Sequence, residues 1–338
     1  MRVEARCRDG AEGAFRARQQ LRRARARERL AALKGRTVTA RIIPAHRVEI
    51  AVPAADVLGE TPLWCDRSNR LWWIDIDRQL HQSFDPSTGA HSSSRHDCRF
   101  LGSQALASDG SHILAQDLNL RRRDPASGLL NHFCEVEHDL DNRLNDGRVD
   151  ARGRLWIGTM DNELHRPNGA LYRIGGDGTV ARLFGGVIVT NGIAFSPDNR
   201  TLYFTDTRRY CTWCFDFDLD EGMIGNRRLF ADYGATKERP DGACVDVDGG
   251  LWTAFFSGGR LVRYRPDGRI DTVIAMPVTN PTCVCFGGRD LKTMFITSAR
   301  KFLGPEQLNL EPYAGDLFAI DGIAQGFPEH RFAVNSQP

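Results

Sequence analysis

One pattern recurs six times along this chain, and it constrains the possible folds more than any other feature. Each copy is a turn rich in Asp, Gly, Asn and Ser, followed by a short apolar strand that often carries an aromatic residue. The copies are SNRLWWID, DGSHILAQD, ARGRLWIGT, DNRTLYFTD, DGGLWTAF and DLKTMFITS. The apolar anchor residues of the copies are Leu71, Ile113, Leu155, Leu202, Leu251 and Met294. Consecutive anchors lie 42, 42, 47, 49 and 43 residues apart.

Each anchor is followed by another short strand and a turn, as in FDPSTG, YRIGGDG and YRPDG. Short β-rich segments separated by Gly- and Pro-containing turns are typical of all-β proteins. Six units of about 40 to 50 residues, each with several strands, predict a six-bladed β-propeller. The segment VTARIIPAHRVEIAV precedes the first anchor. We expect it to add an outer strand to the last blade, which closes the ring and covers an exposed edge.

Residues 37–338 are therefore predicted to form one propeller domain, preceded by a basic leader at residues 1–36. The leader holds 12 Lys and Arg against 4 Asp and Glu, whereas the remainder holds 33 against 39, a net charge of −6. A nucleic-acid arm, a transit peptide and a solvated or disordered extension from an upstream start codon are the alternatives for the leader. We favour the extension. The mildly acidic body indicates no nucleic-acid surface.

Membrane and redox signals in the sequence favour a cytoplasmic protein. No apolar segment approaches the ~20 residues that span a bilayer, and no secretory signal begins the chain. We expect no membrane partner and a monomer or weak homo-oligomer. The nine cysteines are scattered, and Cys211 and Cys214 lie in a predicted strand, where residues three apart face opposite sides. Reduced, mostly buried thiols are therefore expected rather than a zinc centre.

Polar residues recur at one phase of the repeat, ten to thirteen residues before each anchor, where the innermost strand of a blade begins. The residues at this phase are Glu60, Ser103, Asn145, Asn191, Asp241 and Pro281. A propeller gathers equivalent positions around its central channel, so we expect these residues at one mouth of that channel. Each Asn-Asp-Gly, Asn-Gly or Asp-Gly segment by itself is typical of a tight turn. Four carboxylate or amide side chains in one ring instead suit a hard divalent cation or a polar substrate.

Five segments together resemble a known family. They are GETPLW, RLNDGRVDARGRLWIGTMD, VTNGIAFSPDNRTLYFTDT, RPDGACVDVDGGLW and GGRDLKTMFITSAR. They look like the senescence marker protein/gluconolactonase/luciferin-regenerating enzyme family, which includes regucalcin and bacterial sugar lactonases. The resemblance covers about residues 47–325 and leaves out the leader. It implies a six-bladed propeller with one divalent ion, Ca²⁺, Mg²⁺, Mn²⁺ or Zn²⁺, in the axial channel.

The same resemblance implies roles for individual residues. Glu60, Asn191 and Asp241 would bind the metal ion, and Asp241 would also accept the proton of the attacking water. The residues implied to contact the substrate are Arg143, Asn145 and Glu163. Several donors and acceptors of this kind suit the hydroxyl groups of a sugar.

The principal expectation is a metal-dependent aldonolactonase, a carboxylic-ester hydrolase of the gluconolactonase, arabinonolactonase or xylonolactonase type. The alternatives are a regucalcin-like calcium-binding regulator without turnover and a propeller scaffold for partner proteins. Three questions stay open at this point: which ion is bound, which lactone is cleaved, and whether Asp241 is both ligand and base. The loops DNELHRPNG (161–169) and TRRYCTW (207–213) are expected at the channel mouth, where they would influence the choice of lactone.

Overall fold

The computed structural model describes residues 40–335, so the predicted leader lies outside the described residues. These residues form six sheets, five with four strands and one with five. The innermost strands are β3 (Gly59–Cys65), β7 (Leu101–Leu106), β11 (Asn142–Val149), β15 (Thr190–Phe195), β19 (Arg239–Val245) and β23 (Pro281–Gly287). The second strands are β4 (Arg70–Asp75), β8 (His112–Gln116), β12 (Leu155–Asp161), β16 (Thr201–Asp206), β20 (Leu251–Phe256) and β24 (Thr293–Ser298).

Two further strands complete each blade. The third strands are β5 (Leu80–Asp85), β9 (Asn119–Arg123), β13 (Gly169–Ile174), β17 (Cys211–Asp218), β21 (Arg260–Tyr264) and β25 (Leu317–Asp321). The outermost strands are β6 (Ala90–Arg95), β10 (Leu130–Glu135), β14 (Val180–Val187), β18 (Met223–Asp232), β22 (Ile270–Ala275) and β2 (Glu49–Val52). The fifth strand of the largest sheet is β1 (Arg41–Ile43).

The six innermost strands form a closed ring. Each one contacts the innermost strand of the blade on either side, from β3 through β7, β11, β15, β19 and β23 back to β3. Their residues are nearly all buried, whereas outermost strands such as β6 and β18 are largely exposed. The prediction of a six-bladed all-β propeller is confirmed.

The six anchors all lie in second strands, and each is at most 2% exposed. They pack between blades, as Leu71 does with Trp64, Trp73 and Phe295 of the same cluster. Side chains alternate along a strand, so each buried strand contributes to the contacts on both sides of its blade. The recurring apolar pattern is therefore the inter-blade core of the propeller.

The N-terminal strands close the ring. β2 pairs antiparallel with β25 and completes the last blade, as expected from the sequence. β1 pairs in parallel with β22 and extends the fifth blade, a pairing that the sequence analysis did not predict. The N-terminal segment therefore covers the edges of two adjacent blades.

Within residues 40–335 the single α-helix is α1 (Pro305–Leu310), in the loop between β24 and β25. No helix in this part of the chain is long and apolar enough to cross a membrane. The eight cysteines of the same residues are unpaired, and six of them are buried. Cys211 and Cys214 both lie in β17, so these two residues form no zinc-binding turn.

Candidate functional site

Every innermost strand carries a β-bulge. In β3 the pairing register shifts between Glu60 and Leu63, and equivalent shifts occur in the other five innermost strands. A bulge adds one residue to a strand, bends it and re-aims the neighbouring side chains. The polar residues found at one phase of the repeat lie at or beside these bulges. The bulges thus explain how side chains of the innermost strands can face the channel instead of the neighbouring blades.

The segment Asn145–Gly147 is not a tight turn. It lies inside β11, at the bulge between Leu144 and Gly147, and both Asn145 and Asp146 are buried. Asn191 and Gly192 likewise lie inside β15, and Gly192 has a φ of +55°, which glycine adopts most readily. The interpretation of these segments as turns is wrong, because both lie inside paired strands at a shift of register, where a bulge accommodates them.

Three carboxylates from three blades are buried together in the innermost strands β3, β11 and β19. Glu60, Asp146 and Asp241 are each at most 7% exposed. Burial and the charge of Asp146 raise the pKa of Glu60 to about 8. Burial, followed by the charges of Glu60 and Asp146, raises the pKa of Asp241 well above its usual value. Burial also raises the pKa of Asp146 to about 6. A cation at this position would relieve the repulsion.

One buried guanidinium group, that of Arg143, and one largely buried group, that of Arg148, lie near these carboxylates. Arg143 interacts electrostatically with Glu60 and Asp241, and burial lowers the pKa of Arg143 to about 10. Arg148 interacts with Asp146, but its Nη1 donates a hydrogen bond to Glu329 Oε1 at 2.7 Å. Because Glu329 takes up much of the charge of Arg148, the two guanidinium groups do not balance the three carboxylates when all three are ionised.

A chain of hydrogen bonds joins the polar residues of the third and fourth blades. Arg143 Nη1 donates to Asn145 Oδ1 and, at 3.1 Å, to the carbonyl of Leu144. Asn145 Nδ2 donates to Asn191 Oδ1 at 3.0 Å and to the carbonyl of Thr190 at 2.7 Å. The Asn145 Oδ1 accepts from a cationic guanidinium, which would repel a metal ion, whereas the Asn191 Oδ1 accepts from a neutral amide and keeps a second lone pair. Asn145 is therefore better suited to contact a substrate than to bind a metal ion.

The structure brings together five of the six residues singled out for metal or substrate binding: Glu60, Arg143, Asn145, Asn191 and Asp241. The sixth residue is Glu163. It is exposed in the loop between β12 and β13, at the channel mouth where Asn142 pairs with Asp161.

Two other residues at the same repeat phase carry neither a carboxylate nor an amide. Pro281 has no polar side-chain atom, so it offers no ligand from its side chain. The buried Ser103 Oγ has no hydrogen-bond partner within residues 40–335 and adds no carboxylate or amide oxygen.

Sequence reasoning missed two side chains of the site. Asp146 was taken only for a turn residue, although it is the third carboxylate of the cluster. Cys283 lies in β23, and its thiol hydrogen-bonds to Glu60. Burial, with the nearby charges of Glu60 and Asp146, raises the pKa of Cys283 well above its usual value, so it is a neutral neighbour. Counting back from the anchor Met294 had pointed to Pro281 as the channel residue of this blade, two residues before Cys283.

The donor atoms of the cluster fit a hard divalent cation. No three His, Cys, Asp or Glu side chains in the described part of the chain converge as a complete metal centre. The candidate set combines two carboxylates, from Glu60 and Asp241, with the amide oxygen of Asn191. All are oxygen donors of the type that Ca²⁺, Mg²⁺ and Mn²⁺ prefer, and a cation would stabilise the ionised form of the two carboxyl groups.

Fold and site together define a class of protein: a six-bladed propeller with buried carboxylates and amides at one mouth of its channel. The family described as SMP-30/Gluconolactonase/LRE-like region matches residues 58–300. The chain belongs to this family, as the resemblance of its motifs implied.

Individual relatives match over almost their whole length. The chain is 36% identical over 291 residues to 6-deoxy-6-sulfogluconolactonase of Pseudomonas putida, covering 85% of this chain and 98% of that protein. It is 34% identical over 284 residues to regucalcin of Gallus gallus, covering 82% and 95%. Among solved structures, regucalcin of Agrobacterium tumefaciens, described as a calcium-binding protein, has a TM-score of 0.83 at 30% identity, covering 87% and 99%.

Proposed function

We propose that this protein hydrolyses sugar lactones to aldonic acids with the help of one divalent metal ion. The observation that supports this most directly is the meeting of Glu60, Asn191 and Asp241 beside Arg143 and Asn145 at one mouth of the channel. The relative named 6-deoxy-6-sulfogluconolactonase supports a lactone as the class of substrate.

Glu60, Asn191 and Asp241 would hold the ion, which when bound supplies the positive charge that polarises a lactone carbonyl. Asp241 is the proposed general base. A carboxylate oxygen of Asp241 would take the proton of the water that attacks the carbonyl carbon. Burial among other carboxylates makes Asp241 a stronger base than an exposed aspartate, which suits this role.

Arg143 and Asn145 would hydrogen-bond the hydroxyl or carbonyl oxygens of the sugar. Both are buried and already bonded to each other, and the Arg143 guanidinium also lies over the Phe100 ring at 5.6 Å. Their positions are therefore largely set before substrate binds, which lowers the entropic cost of binding. Glu163 would contact the substrate from the rim of the channel mouth.

Removal of the metal ion tests this proposal. Protein treated with EDTA should lose hydrolysis of glucono-, xylono- or arabinonolactone in a pH-stat assay and regain it with Mn²⁺, Ca²⁺, Mg²⁺ or Zn²⁺. Asp241→Ala should stay folded and lose at least about 10²-fold in kcat. Glu163→Gln should mainly raise KM. Full activity in the metal-free protein would contradict the proposal.

A calcium-binding regulator without turnover is the second candidate. It is supported by the relatives named regucalcin, one of whose solved structures is described as calcium-binding. Isothermal titration calorimetry that detects Ca²⁺ binding, together with no hydrolysis across a panel of sugar lactones, would favour this second function.

A further inference from the structure

The hydroxyl group of Thr207 links one proposed metal ligand, Asn191, to the residue that precedes another, Asp241. Thr207 directly follows β16 and is 7% exposed. Its Oγ1 accepts a hydrogen bond from Asn191 Nδ2 at 2.8 Å and donates one to the carbonyl oxygen of Pro240 at 2.6 Å. Since Pro240 immediately precedes Asp241 in β19, the hydroxyl joins the amide ligand of the fourth blade to the backbone that carries the carboxylate ligand of the fifth.

The direction of these two bonds fixes the orientation of the Asn191 amide. A hydroxyl has one hydrogen to donate, and a carbonyl oxygen has none. The bond to Pro240 therefore uses the hydrogen of Thr207, which can then only accept from Asn191. The NH₂ group of Asn191 must face Thr207, and its Oδ1 faces Asn145, whose Nδ2 lies 3.0 Å away. The hydrogen-bond partners alone thus distinguish the nitrogen of the Asn191 amide from its oxygen.

We propose that Thr207 is a positioning residue of the metal site. By holding the Asn191 amide with its oxygen toward the site, Thr207 supplies the donor atom that a hard cation needs, because the reversed amide would present hydrogens. By bonding the Pro240 carbonyl, it restrains the peptide that leads to Asp241. The inference rests on the proposed function only for the metal site, and not for lactone turnover. Groups that hydrogen-bond to metal ligands and orient them typically raise the affinity for the metal ion by about 10- to 100-fold.

The test compares metal binding in three variants of the full chain. Thr207→Val keeps the shape of the side chain and removes the hydroxyl, whereas Thr207→Ser keeps the hydroxyl. Thr272→Val is the matched control, because Thr272 is a buried threonine of β22 whose hydroxyl bonds to Asp271. Calorimetric titration with Mn²⁺ and with Ca²⁺ measures affinity, and thermal unfolding in EDTA measures the stability of each metal-free variant.

We expect Thr207→Val to weaken metal binding by about 10- to 100-fold, Thr207→Ser to restore most of the affinity, and Thr272→Val to bind as the unaltered protein does. Unaltered affinity in Thr207→Val, or a Thr207→Ser variant as weak as Thr207→Val, would overturn the inference. So would a protein that binds neither ion. If Thr207→Val does not fold, Thr207→Ala is measured against the same expectations. Loss of affinity in a protein that cleaves no lactone supports the inference while contradicting the proposed lactonase.

Discussion

At the scale of single residues, the channel mouth keeps Glu60, Asp146 and Asp241 buried together. Burial disfavours the charged form of each group, and their mutual repulsion disfavours it further. Asp146 has some compensation, because its Oδ2 accepts a hydrogen bond from the backbone N–H of Ile193 at 2.9 Å. The site is therefore destabilising for the metal-free fold at pH values where all three carboxylates are ionised. A bound cation would offset this energy.

The stability of the metal-free protein should consequently fall as the pH rises. The folded-state pKa values of about 8 for Glu60 and about 6 for Asp146 lie above the unfolded values of 4.5 and 3.8. The stabilisation from protonating these groups is fully present below the unfolded pKa values and is lost as the pH rises through the folded ones. We expect the unfolding free energy in EDTA to decrease by on the order of a few kcal/mol between about pH 5 and pH 9, and Tm to fall with it. Saturating Mn²⁺ should remove most of this decrease.

Differential scanning calorimetry across this pH range measures the effect. Glu60→Gln should flatten the metal-free profile, because the amide that replaces the carboxyl does not titrate. Glu49→Gln, a change at an exposed glutamate of β2, should leave the profile unchanged. A metal-free Tm that is independent of pH would show that the buried carboxylates do not determine the stability of the fold.

At the scale of elements, the C-terminal segment closes the propeller at the end where the innermost strands finish. The N–H of Phe332 bonds to the carbonyl of Leu106 at the end of β7, and that of Ala333 bonds to Gly153 after β11. Glu329 in the same segment accepts the hydrogen bond of Arg148, whose side chain is 10% exposed. The segment thus provides the anionic partner of a mostly buried guanidinium.

Removing that partner should be strongly destabilising. Glu329→Gln leaves the charge of Arg148 in a largely dry position, and we expect it to lower the unfolding free energy by about 3 kcal/mol. Asp220→Asn is the matched control, because the ion pair of Asp220 with Arg152 is exposed and should contribute less than about 1 kcal/mol. Urea denaturation of both variants makes the comparison, and equal effects would mean that Glu329 does not neutralise a buried charge.

The sequence was informative about the second strands and less so about the innermost ones. Alternation of apolar residues is local, so the anchors could be read directly. A bulge depends on the register with a partner strand, which local residue preferences do not determine. Asn145–Gly147 was therefore equally consistent with a turn, and Asp146 went unrecognised as a buried carboxylate.

At the scale of the whole molecule, the ring is closed by a strand that comes from the start of the propeller sequence. β2 covers the edge of β25, and its Val52 is buried in the cluster that also contains Trp64 and Leu317. Without β2, the backbone groups of β25 would form an unpaired edge that favours association with other chains. β1 makes a shorter, parallel contact with β22.

Truncated chains that begin at Ala40, Val48 and Ala54 should separate the contributions of β1 and β2 to the stability of the propeller. We expect the chain from Val48, which lacks β1 and the 3-10 turn Ala45–Arg47, to lose about 1 to 2 kcal/mol, mainly from the buried Ile43. The chain from Ala54 lacks β2 as well and should lose about 3 kcal/mol or more. Thermal unfolding and size-exclusion chromatography measure stability and association. A chain from Ala54 as stable and monodisperse as the chain from Ala40 would contradict a closing role for β2.

The repeat period and the alternation of apolar residues by themselves determined the number of blades, the anchors and the approximate ring of Glu60, Asn145, Asn191 and Asp241. These features follow from a local sequence pattern that repeats along the chain. A propeller places the equivalent positions of each repeat around one axis. Only the tertiary structure decided that Asp146 shares a buried charge cluster with that ring and that Thr207 orients Asn191. Both depend on strand register and on hydrogen bonds or charges within and between blades. The Asn191–Thr207 bond joins residues 16 positions apart and the Thr207–Pro240 bond joins residues 33 apart, distances over which local sequence preferences carry no information.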